Sequence, residues 1–286
     1  MMLTTIVMWA LNLTLTRYIL THGFQPLAYA TVRYGLAVLI FVAIVLVGQR
    51  SLRIERRDLP LVLLAALMVL LNQVAFVYAL DTTSASTIAL ILGATPAIAA
   101  LIGLALGLER MSRRFWIASV VSFAGVGLVA LGSGGSVSAG PAGILLGLAT
   151  ATSWAGYALA ATPLMQRYSP SHVSAVVLGI AWIGIALVGI PQTLDQKLGL
   201  GWEVWALLVS ATLGPLVLTT IFWFRVLARI GVSRATLAAN LHPFVAAVFA
   251  LLLLSERMTL LQAAGGVLIA GGIFLARSRA ATPVAE

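Results

Sequence analysis

The side chains in this sequence that could do chemistry are polar and aromatic groups set inside long apolar runs. Trp9, Asn12 and Thr16 are spaced three and four apart, which puts them on one face of a helix. Asn72 and Phe76, with Tyr78 nearby, occupy another run; Trp154 and Tyr157 a third; Thr219 and Trp223 a fourth. Asn240 and His242 come just before Pro243. Hydrocarbon makes such groups costly unless they face a cavity or a partner. Each one alone could join two helices or anchor a membrane interface. Taken together they predict a substrate-binding cavity whose amides and hydroxyls bond a small solute while the rings stack on it.

The chemistry that is missing is equally informative. No Asp, Glu or Lys falls mid-run, since Asp81, Glu109 and Glu256 all stand at run ends. Only His242 could titrate near neutral pH deep in a span, so the cavity suits a zwitterionic or apolar solute. There are no cysteines, which excludes disulfides and thiolate chemistry. The three histidines are scattered, and an intramembrane enzyme would need them clustered with carboxylates; we expect no enzyme, no metal and no cofactor. No GxxxxGK[ST] signals ATP use. Gly125-Val-Gly-Leu-Val-Ala130 follows no strand and reads as helix packing, as do Gly103/Gly107 and Gly143/Gly147. A channel is disfavoured because repeats in one chain give no ring of identical filter residues.

The elements that carry these residues follow from composition. Of 286 residues, 61% are hydrophobic and 9% charged, with a mean hydropathy of +1.08. A soluble domain averages about 25% charged residues, so the solvent for this exterior is lipid. The net charge of +9 does not indicate nucleic-acid binding, because the arginines sit in clusters between apolar runs. A bilayer needs about 20 apolar residues per helix. That length divides the chain into ten spans: 3–21, 26–48, 58–80, 84–108, 114–132, 141–167, 171–190, 203–228, 233–255 and 259–277. The first reads as a spanning helix rather than a signal peptide. Pro26, Pro60, Pro141 and Pro170 suit span starts. Pro96, Pro215 and Pro243 fall inside spans, where each frees a carbonyl (those of Leu92, Ala211 and Ala239) for a hinge or for a solute ammonium group.

A shift of 147 residues superimposes the halves. It pairs Pro96 with Pro243, Glu109-Arg110-Met111 with Glu256-Arg257-Met258, Leu80 with Leu227, Ser86 with Ser233, Leu90 with Leu237 and Gly125 with Gly272. The chain therefore reads as two five-helix repeats, 1–135 and 136–286, joined near the Gly132–Gly140 stretch. Of the 17 cationic residues, 13 fall on one side of the bilayer if both termini lie there; Lys197, Arg257 and, near helix ends, Arg17 and Arg33 fall on the other. The positive side is cytoplasmic. Five helices per repeat then force opposite topologies. The predicted fold is an all-α, multi-pass integral membrane protein of ten transmembrane helices in two inverted five-helix repeats, an arrangement common in secondary transporters.

Ten spans, a duplicated unit, Pro96 and Pro243 thirteen residues before Glu109 and Glu256, Trp9-Ala10, Arg33-Tyr34 and Tyr78-Ala79-Leu80 together resemble EamA-type members of the drug/metabolite transporter superfamily. Within it the chain is most similar to the bacterial YddG-type aromatic amino-acid exporters. Thr162-Pro163 departs from the repeat, whose partner region has no proline. The resemblance implies an exporter of aromatic or neutral amino acids, methionine or threonine among them, or of similar metabolites. It would act by alternating access in the inner (plasma) membrane and function as a monomer. Another small metabolite or drug is the alternative cargo, and Pro96 and Pro243 are candidate hinges. A cysteine placed at Gly134 is expected to react with an impermeant thiol reagent from outside, and one at Arg53 is not. The reverse labelling would overturn the inverted topology.

Overall fold

The computed structural model describes residues 1–49, 51–82, 85–132, 134, 140–254 and 258–276, without the side chains of 13, 14, 17, 80–82, 85, 86, 250, 253 and 254. Arg50, Glu256, Arg257, Arg277, Arg279 and most of the 132–140 linker thus lie outside the described residues, as do the side chains of Arg17, Leu80, Asp81 and Ser86. All regular structure among the described residues is helical. The helices are α1 (Met2–Thr21), α2 (Pro26–Gly48), α3 (Leu59–Thr82), α4 (Ala85–Gly93), α5 (Thr95–Ala105), α6 (Arg113–Gly132), α7 (Pro141–Leu164) and α8 (Pro170–Leu194). They continue as α9 (Trp202–Thr212), α10 (Thr219–Ile230), α11 (Val232–Ala239), α12 (His242–Leu254) and α13 (Leu260–Ala276).

Proline sets several of the starts. Pro26, Pro141 and Pro170 occupy the first turn of α2, α7 and α8, where a missing N–H has no intrahelical partner to lose. The Ser169 hydroxyl accepts from the His172 N–H and caps α8. Pro163 sits in the last turn of α7, so the helix ends at Leu164, short of the expected 167.

Among the described residues, seven stretches are long and apolar enough to cross a membrane: Pro26–Gly48, Arg56–Ala79, Thr87–Ala105, Arg113–Gly132, Pro141–Leu164, Pro170–Leu194 and Trp202–Ile230. α1, the α11/α12 pair and α13 occupy the other three stretches read from the sequence. The exterior is apolar, with Leu260 90% and Phe274 75% exposed. Such a surface is stable against hydrocarbon and not against water. The chain is a multi-pass membrane protein.

Inside, α3 lies along α7, α2 along α8 and α6 along α13. The principal buried cluster includes Tyr34, Phe41, Tyr157, Trp223 and Phe224. At the end bearing Arg53 and Arg167, buried Asp58 pairs with Arg167 and accepts from the Tyr168 hydroxyl at 2.9 Å. At the opposite end the Gln196 carboxamide accepts from the Gln25 N–H (2.7 Å) and donates to the Gly23 carbonyl (3.1 Å). Both ends thus join the first half of the chain to the second.

The two spans that contain Pro96 and Pro243 are broken beside those prolines. α4 stops at Gly93 and α5 resumes at Thr95; α11 stops at Ala239 and α12 resumes at His242. Tight turns close the gaps, through Ala94 N–H to the Ile91 carbonyl and Leu241 N–H to the Ala238 carbonyl. Residues Ala94 and Leu241 are 147 apart, the spacing of the sequence repeat. Another departure is a π-helical stretch, Leu213–Leu218, between α9 and α10 and containing Pro215.

α6 and α13 approach closely because glycine lets them. A Cβ on Gly125 would stand 2.6 Å from the Gly265 carbonyl oxygen, and one on Gly265 2.5 Å from that of Gly125. Gly107, by contrast, pairs with no helix; it ends α5 with φ +67°. Gly125→Leu is expected to cost on the order of 3 kcal/mol by overpacking and to lower the thermal midpoint in detergent. Gly271→Leu, which meets no atom within 4 Å, should leave it unchanged. Equal midpoints for the two variants would refute this account of the interface.

Candidate functional site

The breaks, the π-helical stretch and the aromatic runs meet at one cavity of about 440 Å³. α1 contributes Trp9 and Asn12; α3 contributes Asn72 and Phe76; α7 contributes Trp154 and Tyr157; α10 contributes Trp223. Gly93, Asn240, His242 and Pro243 complete the wall where the broken helices cross it. Volumes of roughly 300–1,000 Å³ with apolar walls and a few polar groups are typical of small-molecule sites.

The aromatic side is a cluster of three indoles. Trp9 stands 5.9 Å from Trp154 and 5.1 Å from Trp223, and Trp154 stands 6.0 Å from Trp223 between ring centroids. Tyr157 extends the cluster at 5.7 Å from Trp154. The Trp9 indole N–H donates to the Thr219 hydroxyl at 3.1 Å, which fixes the plane of that ring. Trp9 belongs to the first half of the chain and the other two indoles to the second, so the stack bridges them.

The polar side is built from side chains bonded to backbone carbonyls, one of them at a helix break. The Asn240 carboxamide donates to the Gly93 carbonyl (3.1 Å) and to the Ser122 hydroxyl (3.0 Å). The Asn72 carboxamide donates to the Thr150 carbonyl at 3.0 Å. Of the three carbonyls expected to be freed by proline, that of Leu92 accepts from the Thr95 hydroxyl (2.5 Å) and that of Ala211 from Arg33 (3.2 Å). Those two thus already accept a bond from within the protein.

Arg33 is the residue that sequence reasoning misplaced. It lies seven residues into α2, not at a helix end, and it lines the cavity. Its Nη2 also donates to Asn12 Oδ1 at 3.0 Å. An arginine two turns inside an apolar run was the available signal.

At the Arg-rich end, α5 is joined to the start of α11. Glu109 Oε1 accepts from the Val232 N–H at 2.8 Å, and Oε2 from the Ser233 N–H at 3.3 Å and from the Ser233 hydroxyl. A carboxylate on the first N–H groups of a helix is favoured by both the bonds and the helix dipole.

The EamA-like transporter family matches this chain twice, over residues 1–131 and again over 141–278. The chain belongs to the EamA-like transporter family. Two similar proteins are uncharacterized transporters of Bacillus subtilis (strain 168). YwfM is 33% identical over 162 residues, 55% of this chain and 53% of that protein. YdfC is 30% identical over 201 residues, 67% of this chain and 62% of that protein. The chain thus spans between half and two thirds of the length of these two relatives. An uncharacterized transporter of Archaeoglobus fulgidus is 26% identical over 278 residues, 95% of each chain. One solved crystal structure matches with a TM-score of 0.79 over 96% of this chain and 94% of the other, at 20% identity. That likeness is one of fold.

In this EamA-like chain, ten of the expected site and hinge residues line the cavity: Trp9, Asn12, Asn72, Phe76, Trp154, Tyr157, Trp223, Asn240, His242 and Pro243. Four do not. Thr16 is one turn beyond Asn12 and its hydroxyl meets that of Tyr29 at 3.2 Å. Tyr78 is two residues from Phe76, hence about 200° around the helix, and is 45% exposed. Thr219 is buried behind the wall, donating to the Pro215 carbonyl at 2.6 Å. Pro96 stands beside the break while Thr95 faces the cavity.

Proposed function

We propose that this chain is a secondary transporter of the inner (plasma) membrane. It exports an aromatic or neutral amino acid, or a similar small metabolite, by alternating access, as a monomer with both termini in the cytoplasm. The observation that carries this reading is the meeting of two helices, broken 147 residues apart, at one aromatic-lined cavity. Such breaks are tolerated in a membrane where they line a site. The doubled family match supports the halves 1–135 and 136–286 as the repeats. Ten helical stretches then cross the membrane, and the second repeat is inverted.

Alternating access needs the cavity to close at either face in turn. The Glu109 bonds to α11 supply one closure, at the cytoplasmic end. The repeat provides the same residue pair for the outer face, because Glu256 and Ser86 stand at the positions equivalent to Glu109 and Ser233. Exchange of one seal for the other would turn the cavity from one side to the other.

Purified protein in liposomes loaded with labelled phenylalanine is expected to release it with saturable kinetics. Trp154→Ala should reduce flux several-fold, since loss of an aromatic contact is worth on the order of 1 kcal/mol beyond its buried area. Tyr78→Ala, outside the cavity, should not. A folded Trp154→Ala protein that transports at the native rate would sink the cavity assignment.

The cavity wall holds one imidazole, His242, set against the Trp9 main chain, and no carboxylate among the described residues. The carrier is therefore a facilitator or exchanger that runs down its solute gradient, and release should be insensitive to an imposed pH gradient. Concentrative uptake that follows the pH gradient and disappears in His242→Ala would show proton coupling through that histidine instead.

A further inference from the structure

Among the described residues, one charge in the cavity wall has no counter-charge. Arg33 carries a cationic guanidinium that offers five N–H donors. Among the described residues only Nη2 has hydrogen-bond partners, the Asn12 side-chain oxygen and the Ala211 carbonyl, both neutral. Nε is buried and meets no acceptor. The Tyr29 ring lies 5.6 Å from Cζ, which attenuates a full charge only partly. No Asp or Glu among the described residues lines the cavity. An unpaired cation within apolar helices is costly, and such groups mark solute or ion pathways.

A purely structural role does not account for the charge. The two bonds of Nη2 tie α2 to α1 and to the carbonyl released before the π-helical stretch. A neutral amide could make bonds of that kind without the desolvation cost. Neutral partners hold the guanidinium in place and leave its charge unspent, whereas a carboxylate partner would have neutralised it. The indole cluster lines the same cavity.

We propose that Arg33 is the anchor for a carboxylate of the transported solute, so that the cavity selects amphipathic carboxylates whose apolar body packs against Trp9, Trp154 and Trp223. The inference rests on the carrier reading above and narrows its substrate class. The carboxylate supplies the missing counter-charge through charge-assisted bonds, which are stronger than neutral ones. For an amino acid, Arg33 reads the carboxylate while the aromatic wall reads the side chain.

The test titrates the tryptophan fluorescence of purified protein with L-phenylalanine, 3-phenylpropionate and phenylalaninamide. Both carboxylates are expected to bind at least about tenfold more tightly than the amide, the scale of one charge-assisted hydrogen bond. Arg33→Gln should abolish that preference and Arg33→Lys should retain part of it. Should Arg33→Gln fail to fold, the native protein's preference decides alone. Equal binding of phenylalanine and its amide, or a preference that survives in Arg33→Gln, overturns the anchor and leaves the amino-acid reading standing. Binding of 3-phenylpropionate without phenylalanine supports the anchor and overturns the amino-acid reading. Binding of none of the three overturns both.

Discussion

Hydrocarbon offers no hydrogen bonds, so every carbonyl released by a broken helix must be met from within the protein. That constraint organises the centre of this molecule. Where α4 gives way to α5, the Leu92 carbonyl is met by Thr95 and the Gly93 carbonyl by Asn240 from the other half. Where α9 passes into the π-helical stretch, the Ala211 carbonyl is met by Arg33. Each repair brings a polar side chain to mid-chain depth, and all three repairing side chains line the cavity. The breaks therefore create the cavity and also determine which polar groups it contains.

The same constraint shapes how the two halves are held together. α6 and α13 touch through glycine backbones, a contact that cannot slide without steric clash. The Asp58, Arg167 and Tyr168 group and the Gln196 bonds join the halves at their ends. Against this frame the short segments α4, α5, α11 and α12 are each half the length of a span. They pack on several longer helices, α4 and α5 on α7 and α12 on α1 and α6.

Much of this was legible in the sequence, and the exceptions have physical causes. Apolar run length places helices because a bilayer sets one ruler for all of them. Pro96 and Pro243 mark the breaks because a missing N–H is local chemistry. The register of a residue around its helix was harder, as Tyr78 shows: proximity in sequence to Phe76 put it in the site, and the helical rotation turns it away. Depth was harder still. Arg33 reads as a helix-end cation because α2 starts only seven residues earlier, and its placement depends on a carbonyl 178 residues away. The π-helical stretch was unreadable for the same reason, since Pro215 signals a kink but not which side chain meets the released carbonyl.

The Glu109 contact differs in kind from the packing around it. Packed glycine helices lose their contacts outright when separated, with nothing in lipid to replace them beyond the tails themselves. A carboxylate bonded to two N–H groups and a hydroxyl at a helix end can exchange each bond for water. A hydrogen bond to a charged group nets about 1.5–3 kcal/mol, less at a wet edge where water competes. A contact made of such bonds can open for a few kcal/mol, the range in which two states of a protein interconvert. Packing with no substitute in lipid holds α6 against α13, whereas hydrogen bonds that water can replace hold Glu109 to α11.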